Sequence, residues 1–171
     1  MRIVINDANI LIDLIHLEMV DVFFRLENLE LRITDFVYEE LHEEQKNILQ
    51  PFVNSGDLIL TESDQSDLVN ISNLMNNSNG LSFQDCSVWY FAKFFEGILL
   101  TGDGRLRKQS SEDGVEVRGV LFVFDKLLID GLINFEYAIL KINQLYQINE
   151  RLPMIAKIER LHSWTQSEHI T

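Results

Sequence analysis

The sequence predicts an α/β fold of three layers, with helices on both sides of a mainly parallel sheet of about five strands. Three observations carry this. Short apolar, β-branched runs alternate with stretches whose apolar residues recur every three or four positions. The first run, residues 2–6, ends at a carboxylate, Asp7, after which Ile10, Leu11, Leu14 and Ile15 keep the helical period. A later run, residues 98–100, ends in a similar way, at Thr101-Gly102-Asp103. If the two runs lie parallel in one sheet, Asp7 and Asp103 leave it at one edge, the edge where open α/β sheets bind ligands.

The remaining elements follow in order. Residues 19–29 read as a second helix, with Val20, Phe23, Phe24 and Leu26 apolar, and residues 31–34 as a second strand. Residues 37–49 read as one helix, acidic on one side through Glu39, Glu40, Glu43 and Glu44, and punctuated by Pro51 and Gly56. A third strand, 58–61, precedes a helix over 64–76 and a polar turn over 76–80. Residues 82–96 form the most hydrophobic helix, apolar on nearly all sides and therefore buried on both flanks, ended by Gly97. After the strand 98–100 come a loop over 109–114, a fifth strand over 115–118, and helices over 120–129 and 135–146. A final amphipathic helix over 153–164 has Ile155, Ile158, Leu161 and Trp164 in register.

At 171 residues and 46 % hydrophobic content, the chain suits one domain with a sizeable core. Residues 1–150 read as that domain and 151–171 as a helical extension of it. No apolar run approaches the roughly 20 residues that span a bilayer, and no basic region followed by a hydrophobic segment opens the chain. The single cysteine, Cys86, excludes an intrachain disulfide, so the simplest expected location is the cytoplasm. A net charge of −13 means that nucleic-acid binding must rest on a local basic patch, on metal ions or on a partner. The blander account is a solvated acidic surface.

The carboxylates have two readings each. Asp7 and Asp103 stand where Asp caps helices, and Ser82-Phe83-Gln84-Asp85 is a capping-box pattern. After the second strand stand Asp35, Glu39 and Glu40, among which spacing does not choose. Gathered together, such acids repel by about 1 to 4 kcal/mol per pair, which a hard divalent cation such as Mg²⁺ relieves. A cation held so can activate water for in-line displacement at phosphorus. The four histidines (16, 42, 162 and 169) form no pair at metal-ligand spacing, which speaks against zinc. Cys86 reads as a core residue and Asp13 as a surface one. Arg105, Arg107 and Lys108 make the only compact basic cluster, fit for substrate phosphates or for balancing nearby acids.

Four segments together resemble the PIN-domain ribonucleases, and within them the toxin-type proteins of prokaryotic toxin–antitoxin pairs. Val4-Ile5-Asn6-Asp7-Ala8-Asn9-Ile10-Leu11-Ile12 is similar to the family's first motif, and Thr34-Asp35-Phe36-Val37-Tyr38-Glu39-Glu40-Leu41 to the second. Leu81-Ser82-Phe83-Gln84-Asp85 resembles the third, and Leu99-Leu100-Thr101-Gly102-Asp103-Gly104-Arg105-Leu106-Arg107 the fourth. The resemblance covers residues 2–130, with all four motifs in order. It implies Mg²⁺- or Mn²⁺-dependent endonuclease cleavage of single-stranded RNA. Asp7, Glu40, Asp85 and Asp103 would hold the metal, Asn9 and Thr101 would support them, and Arg105, Arg107 and Lys108 would contact RNA phosphates. The implied partners are the RNA and a cognate antitoxin, with a homodimer left open and no membrane. Two features depart from the compact toxin form: the further helices up to Thr171 and the strongly acidic charge. Two other readings stand beside this one. A phosphatase with Asp7 as nucleophile would usually carry a second Asp where this chain has Asn9, and a catalytically silent PIN-type interaction module would not need all four acids.

Overall fold

A computed structural model describes residues 1–168. The first strand, β1 (Arg2–Asn6), lies at the centre of a five-stranded parallel sheet. Val4, Ile5 and Asn6 are fully buried, because a strand covered by helices on both faces needs a continuous inward run rather than an alternating one. On one side β1 pairs with β2 (Leu29–Thr34), which pairs with β3 (Leu58–Thr61). On the other it pairs with β4 (Ile98–Leu100), which pairs with β5 (Glu116–Arg118). The order β3-β2-β1-β4-β5 reverses direction between β1 and β4. Right-handed crossovers then place helices on both faces, giving the three layers of an α/β/α fold. The reversal also creates the crevice where open sheets of this kind take ligands. Register aims the chain into it: Asn6 stands opposite Leu100, and the Asp7 N–H donates to the Leu100 carbonyl at 3.0 Å. Asp7 and Thr101, the next residues, therefore leave the sheet side by side.

The helices are α1 (Ala8–His16), α2 (Val20–Phe23), α3 (Asp35–Glu40), α4 (Glu43–Ser55), α5 (Gln65–Asn77), α6 (Phe83–Phe94), α7 (Gly104–Glu112), α8 (Val120–Ile129), α9 (Phe135–Ile148) and α10 (Met154–Glu168). The hydrophobic α6 packs on β1, β2 and β4, burying Cys86, Val88, Trp89, Phe91 and Ala92 while Phe94 stays exposed. Among the described residues no helix is long and apolar enough to cross a membrane.

Several expectations are corrected. The helix expected over 19–29 shrinks to α2, because Leu29 and Glu30 are drawn into β2 by pairing with Arg2 and Ile3. The helix expected over 37–49 breaks at Leu41 and His42, whose backbones are extended; the His42 N–H is capped by Gln45 Oε1 at 2.9 Å and a new helix starts. Pro51 lies inside α4, and the left-handed Gly56 (φ 84) ends it. Most of the loop expected over 109–114 is helix: α7 runs to Glu112 because Leu106 and Ser110, one turn apart, are both buried. Gly97 does not supply the left-handed residue after α6. Glu96 does, with φ 51. Gly97 is needed for another reason, since a Cβ there would sit 2.7 Å from the Ile3 carbonyl oxygen of β1.

The expected apolar stripe of the last helix divides. Ala156 and Trp164 lie two α-helical steps of four apart and face the domain; Trp164 is buried, its ring stacked 6.2 Å from Phe124. Arg160 between them pairs with Asp125 at 2.7 Å. Ile155 and Ile158 point outward, 72 % and 59 % exposed. His169 and the end of the 151–171 extension lie outside the described residues.

The close approach at Gly97 is testable. Gly97→Ala forces β4 away from β1 and should lower the unfolding free energy by about 1–3 kcal/mol. Gly104→Ala, whose Cβ would meet nothing within 4 Å, should not lower it. Urea titrations of both variants and the parent check this, and equal stabilities for all three would refute it.

Candidate active site

Asp7 is the residue that the sheet places most firmly. It follows β1 directly and only 6 % of it is exposed. Although it stands at the N-cap of α1, its side chain makes no capping hydrogen bond. Its Oδ2 instead accepts from the Thr101 hydroxyl at 2.6 Å and from Asn9 Nδ2 at 2.6 Å. Thr101 is itself fully buried, and its Oγ also accepts from the Asp103 N–H at 3.0 Å. Asn9 Oδ1 accepts from the Gly102 N–H at 2.9 Å. The loop after β4 is thus tied to the loop after β1 through two side chains, one from each. Burial pushes the Asp7 carboxyl up to about 6; the Thr101 hydrogen bond opposes this, and the charge of Asp85 adds to it.

Asp85 comes from the first turn of α6. Its Oδ2 accepts from the Ser82 N–H at 2.9 Å while Ser82 Oγ accepts from the Asp85 N–H at 3.0 Å, so the capping box forms as the sequence suggests. The same carboxylate lies within electrostatic reach of two others. Its charge bears on Asp7 and, after burial as the larger cause, raises Glu40. Glu39 instead pairs with Lys46 at 3.0 Å on the surface. Asp35 accepts from both the N–H and the hydroxyl of Ser63. Of the acids after β2, therefore, Glu40 is the one turned towards Asp85.

Asp103 joins the group by hydrogen bonds rather than by a charge effect on Asp7. It is the side-chain N-cap of α7, its Oδ1 accepting from the Leu106 N–H at 2.8 Å. Together with Asn9 and Gly102 it lines a groove. One oxygen of Asp7, Asp85 and Asp103 is thus committed to holding the side chain in place. The other oxygen accepts no side-chain hydrogen bond among the described residues.

The basic cluster separates. Arg107 donates to the Thr101 carbonyl at 3.0 Å, half-buried, with burial and the neighbouring Arg118 lowering its basicity. It braces the loop that carries Asp103. Arg105 and Lys108 face a groove of about 550 Å³ beside Asn79 and Gly80, whose turn is fastened to α7 by the Asn79 N–H donating to Gln109 Oε1 at 2.7 Å.

Sequence reasoning passed over two supports. Thr34, at the end of β2, and Ser87, in the apolar α6, are both fully buried with their hydroxyls 2.9 Å apart. Ser87 donates to the Gln84 carbonyl at 2.7 Å, which leaves Thr34 as donor within the pair. This bond fixes the Asp85 helix against the strand that leads to Glu40. A lone Ser among the apolar residues of α6 was the available signal. Asp13, read as a surface residue, is half-buried and accepts from Asn149 Nδ2 at 2.9 Å, and burial raises its carboxyl.

An all-oxygen set of this kind suits a hard cation such as Mg²⁺, which binds through one or two carboxylates and keeps several waters. It does not suit zinc, for which nitrogen or sulfur ligands are usual. Among the described residues no three His, Cys, Asp or Glu form a group that could hold a metal ion, so the structure does not bring the four expected acids together as a ligand set.

The parallel sheet, the switch-point crevice and the carboxylates around it define an α/β/α protein with an acidic crevice. A family model described as a PIN domain matches residues 3–163, and the chain belongs to the PIN-domain family. No curated protein matches it.

The capping account and the account in which Asp7 carries a penalty for its buried charge beside Asp85 (the crowding account) predict opposite signs at Asp7. With its carboxyl raised from 3.8 to about 6 in the folded protein, Asp7 makes the native state bind protons more readily than the unfolded one. Its penalty is complete above about pH 6 and is relieved as pH falls towards 3.8; such a difference is worth roughly 3 kcal/mol. In EDTA, Asp7→Asn should melt above the parent at pH 7.5, by a margin that shrinks at pH 5. Asp103→Ala loses a real cap and should cost about 0.5–2 kcal/mol. Thermal melts at the two pH values decide, and a lower melting temperature for Asp7→Asn at pH 7.5 would refute the crowding account.

Proposed function

We propose that this protein is a Mg²⁺- or Mn²⁺-dependent endoribonuclease that cuts single-stranded RNA. The observation that carries the reading is the Asp7 carboxylate, held by Thr101 and Asn9 at a place where burial and, to a lesser degree, the charge of Asp85 disfavour its ionised form. A purely structural residue at this place would be cheaper if it were neutral. Asp7, Glu40, Asp85 and Asp103 are the residues that would hold the cation. When bound, it supplies an activated water and offsets the charge developing on the phosphate and the leaving oxygen.

The chain's own groups do the rest. Thr101 and Asn9 keep Asp7 in one rotamer, so that no reorganisation is needed when substrate arrives. Ser82 and the Thr34–Ser87 pair do the same for Asp85. Arg105 and Lys108 supply the local positive field that a chain of net charge −13 needs in order to receive a polyanion. Asn9 cannot serve as the acid of a phosphatase, because an amide has no proton to give at neutral pH; its two ends instead hold Asp7 and Gly102.

In its setting we read the protein as the toxin of a toxin–antitoxin pair, acting in the cytoplasm, with residues 151–171 as an extension of the same domain and a homodimer as a further assembly. A small DNA-binding protein encoded beside it, co-expressed, should abolish cleavage.

The purified protein should cut single-stranded RNA with Mg²⁺ or Mn²⁺ and stop in EDTA. Asp7→Asn and Asp85→Asn should each lose at least about 100-fold in kcat/KM, since a neutral amide is a poor ligand for a hard cation. Arg105→Ala with Lys108→Ala should raise KM and weaken its salt dependence. Equal residual cleavage by the parent and Asp7→Asn preparations would mark a contaminant and overturn the reading.

A further inference from the structure

The wall of the groove facing Asp103 has no part in that reading. It is formed by the end of α9 and the connection to α10, residues 147–152, and it stands across about 710 Å³ from Asn9, Gly102 and Asp103. This connection is fastened. Asn149 donates to Asp13 of α1 at 2.9 Å, its Oδ1 accepts from the Arg151 N–H at 3.2 Å, and the Tyr146 hydroxyl donates to the Pro153 carbonyl at 2.8 Å. A segment that had only to join two helices would not need anchoring to α1.

The groups it presents are specific in kind. Gln147 and Arg151 are exposed, and neither side chain makes a hydrogen bond among the described residues. Ile148, half exposed, and Leu152 add apolar surface beside them. Glu150 and Asp103 also border the groove, so it is poorly suited to a run of bare phosphates. An unengaged amide next to apolar surface instead matches an unstacked nucleobase, which offers hydrogen-bonding edges and a flat apolar face.

We propose that this groove seats the base of a nucleotide next to the bond that is cut. Gln147 reads the base edge and Arg151 holds the adjoining phosphate, so the connection between α9 and α10 sets which RNA sequences are cleaved. The proposal rests on the ribonuclease reading above.

The test uses the full chain and an RNA of mixed sequence, with cut ends mapped by sequencing and KM and kcat measured on one preferred oligonucleotide. The parent should prefer a particular base beside the cut. Gln147→Ala should flatten that preference, and Gln147→Ala and Arg151→Ala should each raise KM about fivefold or more with little change in kcat. Gln147→Glu, which can only accept when ionised, should exchange the preferred base rather than merely weaken binding. Arg25→Ala, beside Met1 at the other end of the sheet, removes the same charge and should change nothing. If the parent cuts RNA without base preference, or if the Gln147 and Arg151 variants cut at the same sites with the same KM, the groove assignment is wrong and the ribonuclease reading survives. If the parent cuts no RNA at all, both fall together.

Discussion

The hydrogen bond from the Thr101 hydroxyl to the Asp7 carboxylate spans 94 residues of sequence and joins the ends of the two strands that flank the switch point. Much of the site depends on it. Asp7 leaves β1 into a space that burial makes hostile to charge, and the two short bonds from Thr101 and Asn9 favour its ionised form there. Thr101 also receives the Asp103 N–H, and its carbonyl receives Arg107. One buried threonine therefore orients two carboxylates and anchors the start of α7.

Asp85 and Asp103 share a construction in which one carboxylate oxygen serves the local helix and the other accepts no side-chain hydrogen bond among the described residues. Asp85 caps α6 and Asp103 caps α7 with one oxygen each. Capping stabilises the helix and at the same time fixes the rotamer, which leaves the second oxygen aimed rather than wandering. Capping and ligation are therefore compatible readings of one residue. Asp7 is the exception: it makes no side-chain cap of α1 and is held chiefly by the side chains of Thr101 and Asn9, with the Ala8 backbone assisting. Its cost to the metal-free fold is accordingly the clearest physical mark of the site.

Charge is distributed to match. Glu43 and Glu44 lie exposed in the first turn of α4, whereas Arg105 and Lys108 stand on the α7 face that borders Asn79 and Gly80. Arg107, their sequence neighbour, turns inward to the Thr101 carbonyl because its place on α7 puts it beside β5 and Gly119. A cluster that looks uniform in sequence is thus divided between bracing a loop and facing solvent.

The sequence by itself determined the alternation of strands and helices, the strand-to-helix junctions that carry Asp7 and Asp103 and the Asp85 capping box, because these follow from local period and local hydrogen bonding. It misplaced the start of β2, where partners distant in the chain override local pattern, Arg2 and Ile3 drawing Leu29 and Glu30 into the sheet; it also read through the break at His42 and took most of the second half of α7 for a loop. Only the tertiary structure shows that Asp85's charge bears on Glu40 while Glu39 pairs with Lys46, since adjacent helical residues differ by about 100° in direction and packing sets which side each faces. It likewise decided the role of Gly97, which answers to a carbonyl in β1, and the use of Asn149 to hold a groove wall against α1. Contacts of such sequence separation leave no periodic trace, because nothing in the spacing of one segment records the position of the other.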